Sequence, residues 1–193
     1  MAEENRFAAL CPRCKSPVQV TSTYQASTNT LLEDKDKFRP HPHIEGFLDN
    51  IRSAWNVGSM LRTADGIGIR RMHLCGITPT PENPKVTKTA LGSEFYVPWE
   101  YYPNGLEAAV QLKKRGYRLW ALEGVQRAVP LNDLQNIGDR TPVVLIVGNE
   151  NFGIDPEILE QCDNLLYIPM SGDKQSYNVA VAFGIASFLL SLQ

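Results

Sequence analysis

From residue 44 onward, apolar positions alternate between the short period of a strand and the 3.6-residue period of a helix. Residues 44–48 form a short apolar run that reads as a first strand. Val57, Met60, Leu61, Ala64 and Ile67 then mark one face of a helix beginning near Asn56. Residues 72–75 read as a second strand, 106–114 as a helix stopped by Gly116, and 117–122 as a strand stopped by Gly124. The run 143–147 is continuously apolar, the pattern of a parallel strand covered on both faces. Pro156, suited to a first helical turn, opens a helix to Cys162; 165–168 reads as the last strand and 179–192 as a long apolar helix. This alternation predicts an α/β domain with a mostly parallel sheet and helices on both faces. Ligands of such sheets bind beyond the strand ends, here the loops after Leu122, Val147 and Ile168.

Residues 1–40 break the pattern. They carry Cys11-Pro12-Arg13-Cys14, a polar run from Thr21 to Thr30 and the charge cluster Glu33-Asp34-Lys35-Asp36-Lys37, with few large apolar side chains. They read as an N-terminal arm, partly mobile, before a domain spanning 41–193. The Cys pair is similar to one knuckle of a zinc ribbon, but the usual second Cys pair is missing; His41 and His43 are the available partners. Zinc on the arm and a metal-free arm both stay open. Cys75 and Cys162 read as small buried hydrophobes.

With 193 residues, 43% of them hydrophobic and 21% charged, the chain has the composition of a globular domain. No apolar run approaches a membrane span and the acidic opening Met1-Ala2-Glu3-Glu4 is not a secretory signal, so a cytoplasmic protein is expected. A net charge of -2 does not announce a nucleic-acid binder. Arg52, Arg62, Arg70, Arg71, Lys85 and Lys88 nevertheless crowd a stretch whose only acids are Asp65 and Glu82. That stretch is either an RNA-facing patch, in which Arg70 and Arg71 contribute to salt-dependent binding, or a solvated basic face. Trp99, Tyr101 and Tyr102 are candidates for base stacking or for packing, and residues 88–94 for an RNA-facing segment or a loop against the sheet.

Three segments concentrate the chemistry: Asn56-x-Gly58-x-x-x-Arg62-x-Ala64-x-x-x-Gly68, then Gly148-Asn149-Glu150-Asn151-Phe152-Gly153, then Ile168-Pro169-Met170 leading to Ser176-Tyr177-Asn178. Taken singly, Asn56 reads equally as a helix cap, Arg62 as a solvated cation, the Gly148 turn as a connector, and Ser176 with Asn178 as a capped helix start. There is no Rossmann fingerprint and no P-loop.

In their order, over about residues 44–192, the three segments resemble the motifs of the SpoU branch of the SPOUT methyltransferases. The resemblance implies a C-terminal trefoil knot, S-adenosylmethionine as cofactor, a homodimer whose active site draws on both subunits, and methylation of a ribose 2′-hydroxyl in tRNA or rRNA. It places Asn56, Arg62, Glu150, Ser176 and Asn178 in the catalytic centre and Gly148, Ile168 and Tyr177 against the cofactor, with Gly124 lining the same pocket. Glu150 is expected to pair with Arg62 or Asn56. Tyr177 departs from the usual Leu. No metal is needed for an in-line displacement governed by positioning. A guanidinium is a poor base near neutrality, so Arg62 is expected to stabilise alkoxide charge and hold the neighbouring phosphate. The alternatives are a knotted methyltransferase acting on an RNA base, a non-catalytic RNA-binding or assembly module, and a zinc-dependent adapter built on the arm.

Overall fold

The computed structural model describes residues 16–17, 43–133 and 141–192. The chain divides into two compact units, Met1–Lys37 and Phe38–Gln193; the fold below is that of the second. Cys11, Cys14 and His41, and with them the zinc-knuckle reading, lie outside the described residues.

Twelve strands and helices follow one another in the described residues. They are β1 (Ile44–Asp49), α1 (Ala54–Ile67), β2 (Met72–Cys75), α2 (Pro84–Ala90), β3 (Trp99–Tyr102), α3 (Gly105–Lys114), β4 (Arg118–Leu122), β5 (Val129–Pro130), β6 (Val143–Val147), α4 (Pro156–Gln161), β7 (Asn164–Tyr167) and α5 (Val179–Ser191). The seven strands form one sheet in the order β3-β2-β1-β6-β4-β7-β5, and every pairing is parallel. β1 and β6 lie at its centre with Ile44 opposite Val143 and Leu48 opposite Val147.

Because side chains alternate across a strand, the apolar run of β6 feeds two cores. Val143, Leu145 and Val147 face α1, α2 and α5, where they join Leu48, Met60, Leu61, Val86, Phe183 and Leu190. Val144 and Ile146 face α3 and α4, with Phe47, Ala108, Leu112, Leu119 and Ile158. Cys75 belongs to that second core and Cys162 packs against it; burial pushes both thiols up, Cys162 to about 12, as suits small hydrophobes rather than nucleophiles.

The sheet also buries one polar cluster. The Glu45 carboxylate, 2% exposed, accepts from His73 Nε2 at 2.7 Å and from the Tyr117 hydroxyl at 2.9 Å, with Arg70 Nε at 3.7 Å. Burial acts to raise its pKa, but these hydrogen bonds and the His73 and Arg70 charges outweigh burial and hold it below the ordinary value.

Three elements go beyond the pattern of apolar positions. α2 buries only Val86 and Ala90, too few for a periodic signal, although Asn83 caps it and Pro84 starts it. β3 is an edge strand whose Trp99 and Tyr102 pack against the two cores, while the Tyr101 hydroxyl donates to the Gly76 carbonyl at 2.9 Å. Packing therefore claims two of the three aromatics for which base stacking was the alternative. β5 is two residues long and ends in Pro130, which an edge position tolerates.

α1 and α2 meet at Gly58. A β-carbon there would fall on the Thr89 hydroxyl and the Val86 carbonyl oxygen, so only glycine permits this approach. Gly58→Ala is expected to lower the unfolding free energy by about 1–3 kcal/mol, read as a lower denaturant midpoint at unchanged m-value, the usual cost of overpacking. An unchanged midpoint would mean that α2 is not seated on α1 in solution.

Candidate functional site

Three loops leave the C-terminal ends of the adjacent strands β6, β4 and β7 and enclose a cavity of about 910 Å³. Gly124 and Gly148, Ile168 and Tyr177 all line it, together with Glu150, Ser176 and Asn178. The residues proposed from the sequence to meet a cofactor are thus gathered in one place.

The loop after β6 is held from several sides. Asn149 and Gly153 exchange backbone hydrogen bonds at 2.9 and 2.8 Å, and the Asn149 side-chain oxygen accepts from the N–H groups of Asn151 and Phe152. Its amide nitrogen donates to the Asn50 carbonyl at 2.7 Å, tying this loop to the turn after β1. Glu123, from the loop after β4, accepts from the Ile154 N–H at 3.1 Å. At Gly148 a β-carbon would strike the backbone of Gly153 and Ile154, so glycine here closes the loop on itself. Gly124 differs, since no atom lies within 4 Å of where its β-carbon would stand.

Glu150 projects from this turn to the start of α1. Its carboxylate accepts from the backbone N–H groups of Arg52 and Ser53 at 2.9 and 3.1 Å and from Asn56 Nδ2 at 2.9 Å. Partial burial acts to raise its pKa; the N–H donors and the Asn56 amide prevail and lower it, so the group is ionised at neutral pH. Asn56 passes the link on, its Oδ1 accepting from Asn178 Nδ2 at 3.2 Å, while Asn178 Oδ1 caps α5 by accepting from the Ala180 N–H at 2.9 Å. Both amide orientations are fixed by this chain of donors, since a carboxylate only accepts. The α1 cap is Ser53, whose hydroxyl accepts from the Asn56 N–H, so the cap reading of Asn56 does not hold.

Arg62 is not part of this cluster. It lies six residues beyond Asn56, about 9 Å along the helix axis, is exposed, and makes no hydrogen bond or ion pair among the described residues. It opens instead onto a separate groove of about 570 Å³ between α1 and α2. Of the two partners expected for Glu150, the carboxylate takes Asn56. Ser176 and Tyr177 are exposed on the cavity rim. Sequence reasoning missed Glu123, for which no local signal exists, and the structural role of Asn149, which stood inside the quoted turn.

The cavity wall carries Leu122, Val147, Ile168 and Met170 as apolar surface, two carboxylates in Glu123 and Glu150, and, among the described residues, no lysine or arginine. This set suits a ligand with a flat apolar body and a neutral or positive reactive centre, and supplies no side-chain cation to a phosphate. A nucleoside sulfonium such as S-adenosylmethionine has that chemistry.

The SpoU rRNA Methylase family model matches residues 46–188. A tRNA (guanosine(18)-2′-O)-methyltransferase of Thermus thermophilus is 31% identical over 150 residues, covering 78% of this chain and 75% of that protein. The 23S rRNA (guanosine(2553)-2′-O)-methyltransferase RlmP of Bacillus subtilis is 35% identical over 144 residues, 74% of this chain and 56% of the relative, so the chain spans little more than half of it. The AdoMet-bound rRNA methyltransferase of Sinorhizobium meliloti superposes with a TM-score of 0.70 at 27% identity, covering 78% of this chain and 59% of that one.

Glu150→Ala strands three donors, each within reach of water, and is expected to cost about 1 kcal/mol in denaturant unfolding at neutral pH. A carboxylate with a depressed folded pKa stabilises above its unfolded pKa and loses that contribution as pH falls through the folded value. The gap between wild type and Glu150→Ala should therefore narrow as pH falls below the ordinary carboxylate range. A gap independent of pH would show that the ionised carboxylate is not what holds the start of α1.

Proposed function

The chain belongs to the SpoU rRNA methylase family, and from that membership we propose that it transfers the methyl group of S-adenosylmethionine to a ribose 2′-hydroxyl of tRNA or rRNA. The observation that carries this reading is the cation-free cavity at the ends of β4, β6 and β7, into which the cofactor-facing residues converge. When bound, the cofactor supplies a methyl group activated by its sulfonium. Gly124, Gly148, Ile168 and Tyr177 are the residues that would hold it, largely through main chain and apolar wall.

The chain's own work is positioning and charge. Glu150, through Asn56, sets Asn178 and the start of α5 against the cavity, which the amide-bearing Asn178 and the hydroxyl-bearing Ser176 line. A ribose hydroxyl is a weak acid, and its nucleophilicity rises when the developing alkoxide is stabilised. Arg62 performs that role and holds the neighbouring phosphate, while the proton leaves to water or an adjacent acceptor. As a guanidinium it does not act as the base.

Within one chain Arg62 opens away from the cavity. The reading therefore includes a homodimer in which Arg62 of one subunit reaches the site of the other. Supporting it, α5 exposes Val181, Phe188 and Leu192, an apolar stripe that a second copy would cover. The trefoil knot, formed by the loops after β6 and β7, is likewise part of this proposal, as is a cytoplasmic location. On that last point, no helix among the described residues is long and apolar enough to cross a membrane.

The test is incubation with methyl-labelled S-adenosylmethionine and bulk unmodified tRNA and rRNA, followed by digestion and mass spectrometry of nucleosides. A 2′-O-methylated nucleoside is expected, falling about 100-fold or more in rate with Arg62→Ala. Arg62→Lys, which keeps charge but loses the planar fork, should remain strongly impaired. A methylated base would overturn the ribose assignment, and cofactor binding with no product from any RNA would overturn the enzymatic one.

A further inference from the structure

Resting on the RNA-methylating reading, we infer that Lys88, seated on Trp55, forms with Arg62 an RNA-backbone site in the groove between α1 and α2, outside the cofactor cavity of the same chain. The structure sorts the basic stretch seen in the sequence. Arg70 lies 3.7 Å from the buried Glu45 and Arg71 3.3 Å from Glu100. These two arginines, which the sequence offered as candidates for an RNA face, already have carboxylate partners that offset part of their charge.

Arg62 and Lys88 are arranged differently. Both line the groove of about 570 Å³, with Ser59, Thr63, Thr89 and Leu91, and no carboxylate is among the lining residues. The acid nearest in sequence to Arg62, Asp65, is engaged by the Ser93 hydroxyl at 2.9 Å. Two cations with the hydroxyls of Ser59 and Thr63 beside them match the donors a phosphodiester takes. The close approach of α1 and α2 at Gly58 sets the separation of the helices that carry the two charges.

Lys88 Nζ stands 5.5 Å from the centroid of the Trp55 ring, and that ring is 48% exposed in the first turn of α1. A cation–π contact leaves the ammonium its full charge, unlike an ion pair, and limits the freedom of a long side chain. Trp55 is thus a positioning residue and Lys88 the contacting one. The net charge of -2 and the lack of a lysine or arginine among the described residues lining the cofactor cavity favour such a localised site. Phosphate contacts dominate RNA affinity.

The experiment measures equilibrium binding of bulk unmodified tRNA and rRNA across a salt series, with steady-state methyl transfer and S-adenosylmethionine affinity, for wild type, Lys88→Gln, Lys88→Arg, Trp55→Phe and Trp55→Leu. Lys88→Gln should flatten the dependence of log K on log salt by about 0.7–0.9, the signature of one lost phosphate contact. Its KM for RNA should rise several-fold, with kcat and cofactor affinity unchanged within about twofold. Lys88→Arg and Trp55→Phe should restore the slope, and Trp55→Leu should raise KM less than Lys88→Gln does. An unchanged slope and KM in Lys88→Gln, while wild type methylates RNA, overturns this inference alone. A wild type that neither binds nor methylates RNA overturns the reading beneath it and this inference with it.

Discussion

The carboxylate of Glu150 at the start of α1 is the contact on which the rest of the site depends. It joins residues almost a hundred positions apart in the chain, accepting from Arg52, Ser53 and Asn56. Its lowered pKa, which the surrounding N–H donors maintain against partial burial, means that the link is present throughout the neutral range. Through Asn56 and Asn178 it joins three strand-to-helix connections, β1 to α1, β6 to α4 and β7 to α5. A parallel sheet places those connections at one edge, and a side-chain relay turns that proximity into a fixed geometry.

Charge is divided between two places. The cavity carries carboxylates and apolar wall, and the groove on the far side of α1 carries cations and hydroxyls. A donor with a positive sulfur and an acceptor with a negative backbone are thereby served by different surfaces. α1 belongs to both, with Asn56 in its first turn and Arg62 nearly two turns on, so the helix that anchors the cavity also carries a cation of the groove. Arg70 is exposed but lies 3.7 Å from the buried Glu45 carboxylate, which offsets part of its charge.

Much of this was legible in the sequence because local physics and tertiary structure agree. Residues 143–147 are apolar at every position, and a strand covered on both faces needs that; Gly116 and Pro156 mark helix ends by their backbone constraints alone. α2 escaped because a helix of seven residues with two buried side chains has no periodicity to detect, although Asn83-Pro84 announced its start. The aromatic segment Trp99–Tyr102 left stacking and packing both open, and only the sheet register reveals an edge strand. In the site, Asn56, Glu150 and Asn178 were recognisable by motif. That Glu150 reaches the N–H groups of Arg52 and Ser53, that Glu123 braces the loop at Ile154, and that Lys88 rests on Trp55 depend on how distant segments pack, and no local spacing encodes them.

The most direct measurement is calorimetric titration of S-adenosylmethionine into wild type and Asn56→Asp, with ATP as the control ligand. Asn56→Asp preserves shape but sets a second carboxylate against Glu150 in place of a donor, a like-charge contact that disrupts the relay. Wild type should bind the sulfonium nucleoside and not ATP, and Asn56→Asp should weaken that binding by about tenfold or more, an effect of at least about 1.4 kcal/mol. Equal affinity in wild type and Asn56→Asp, or binding of ATP as tight as that of S-adenosylmethionine, would contradict a cavity organised by Glu150 and selected by its lack of cations.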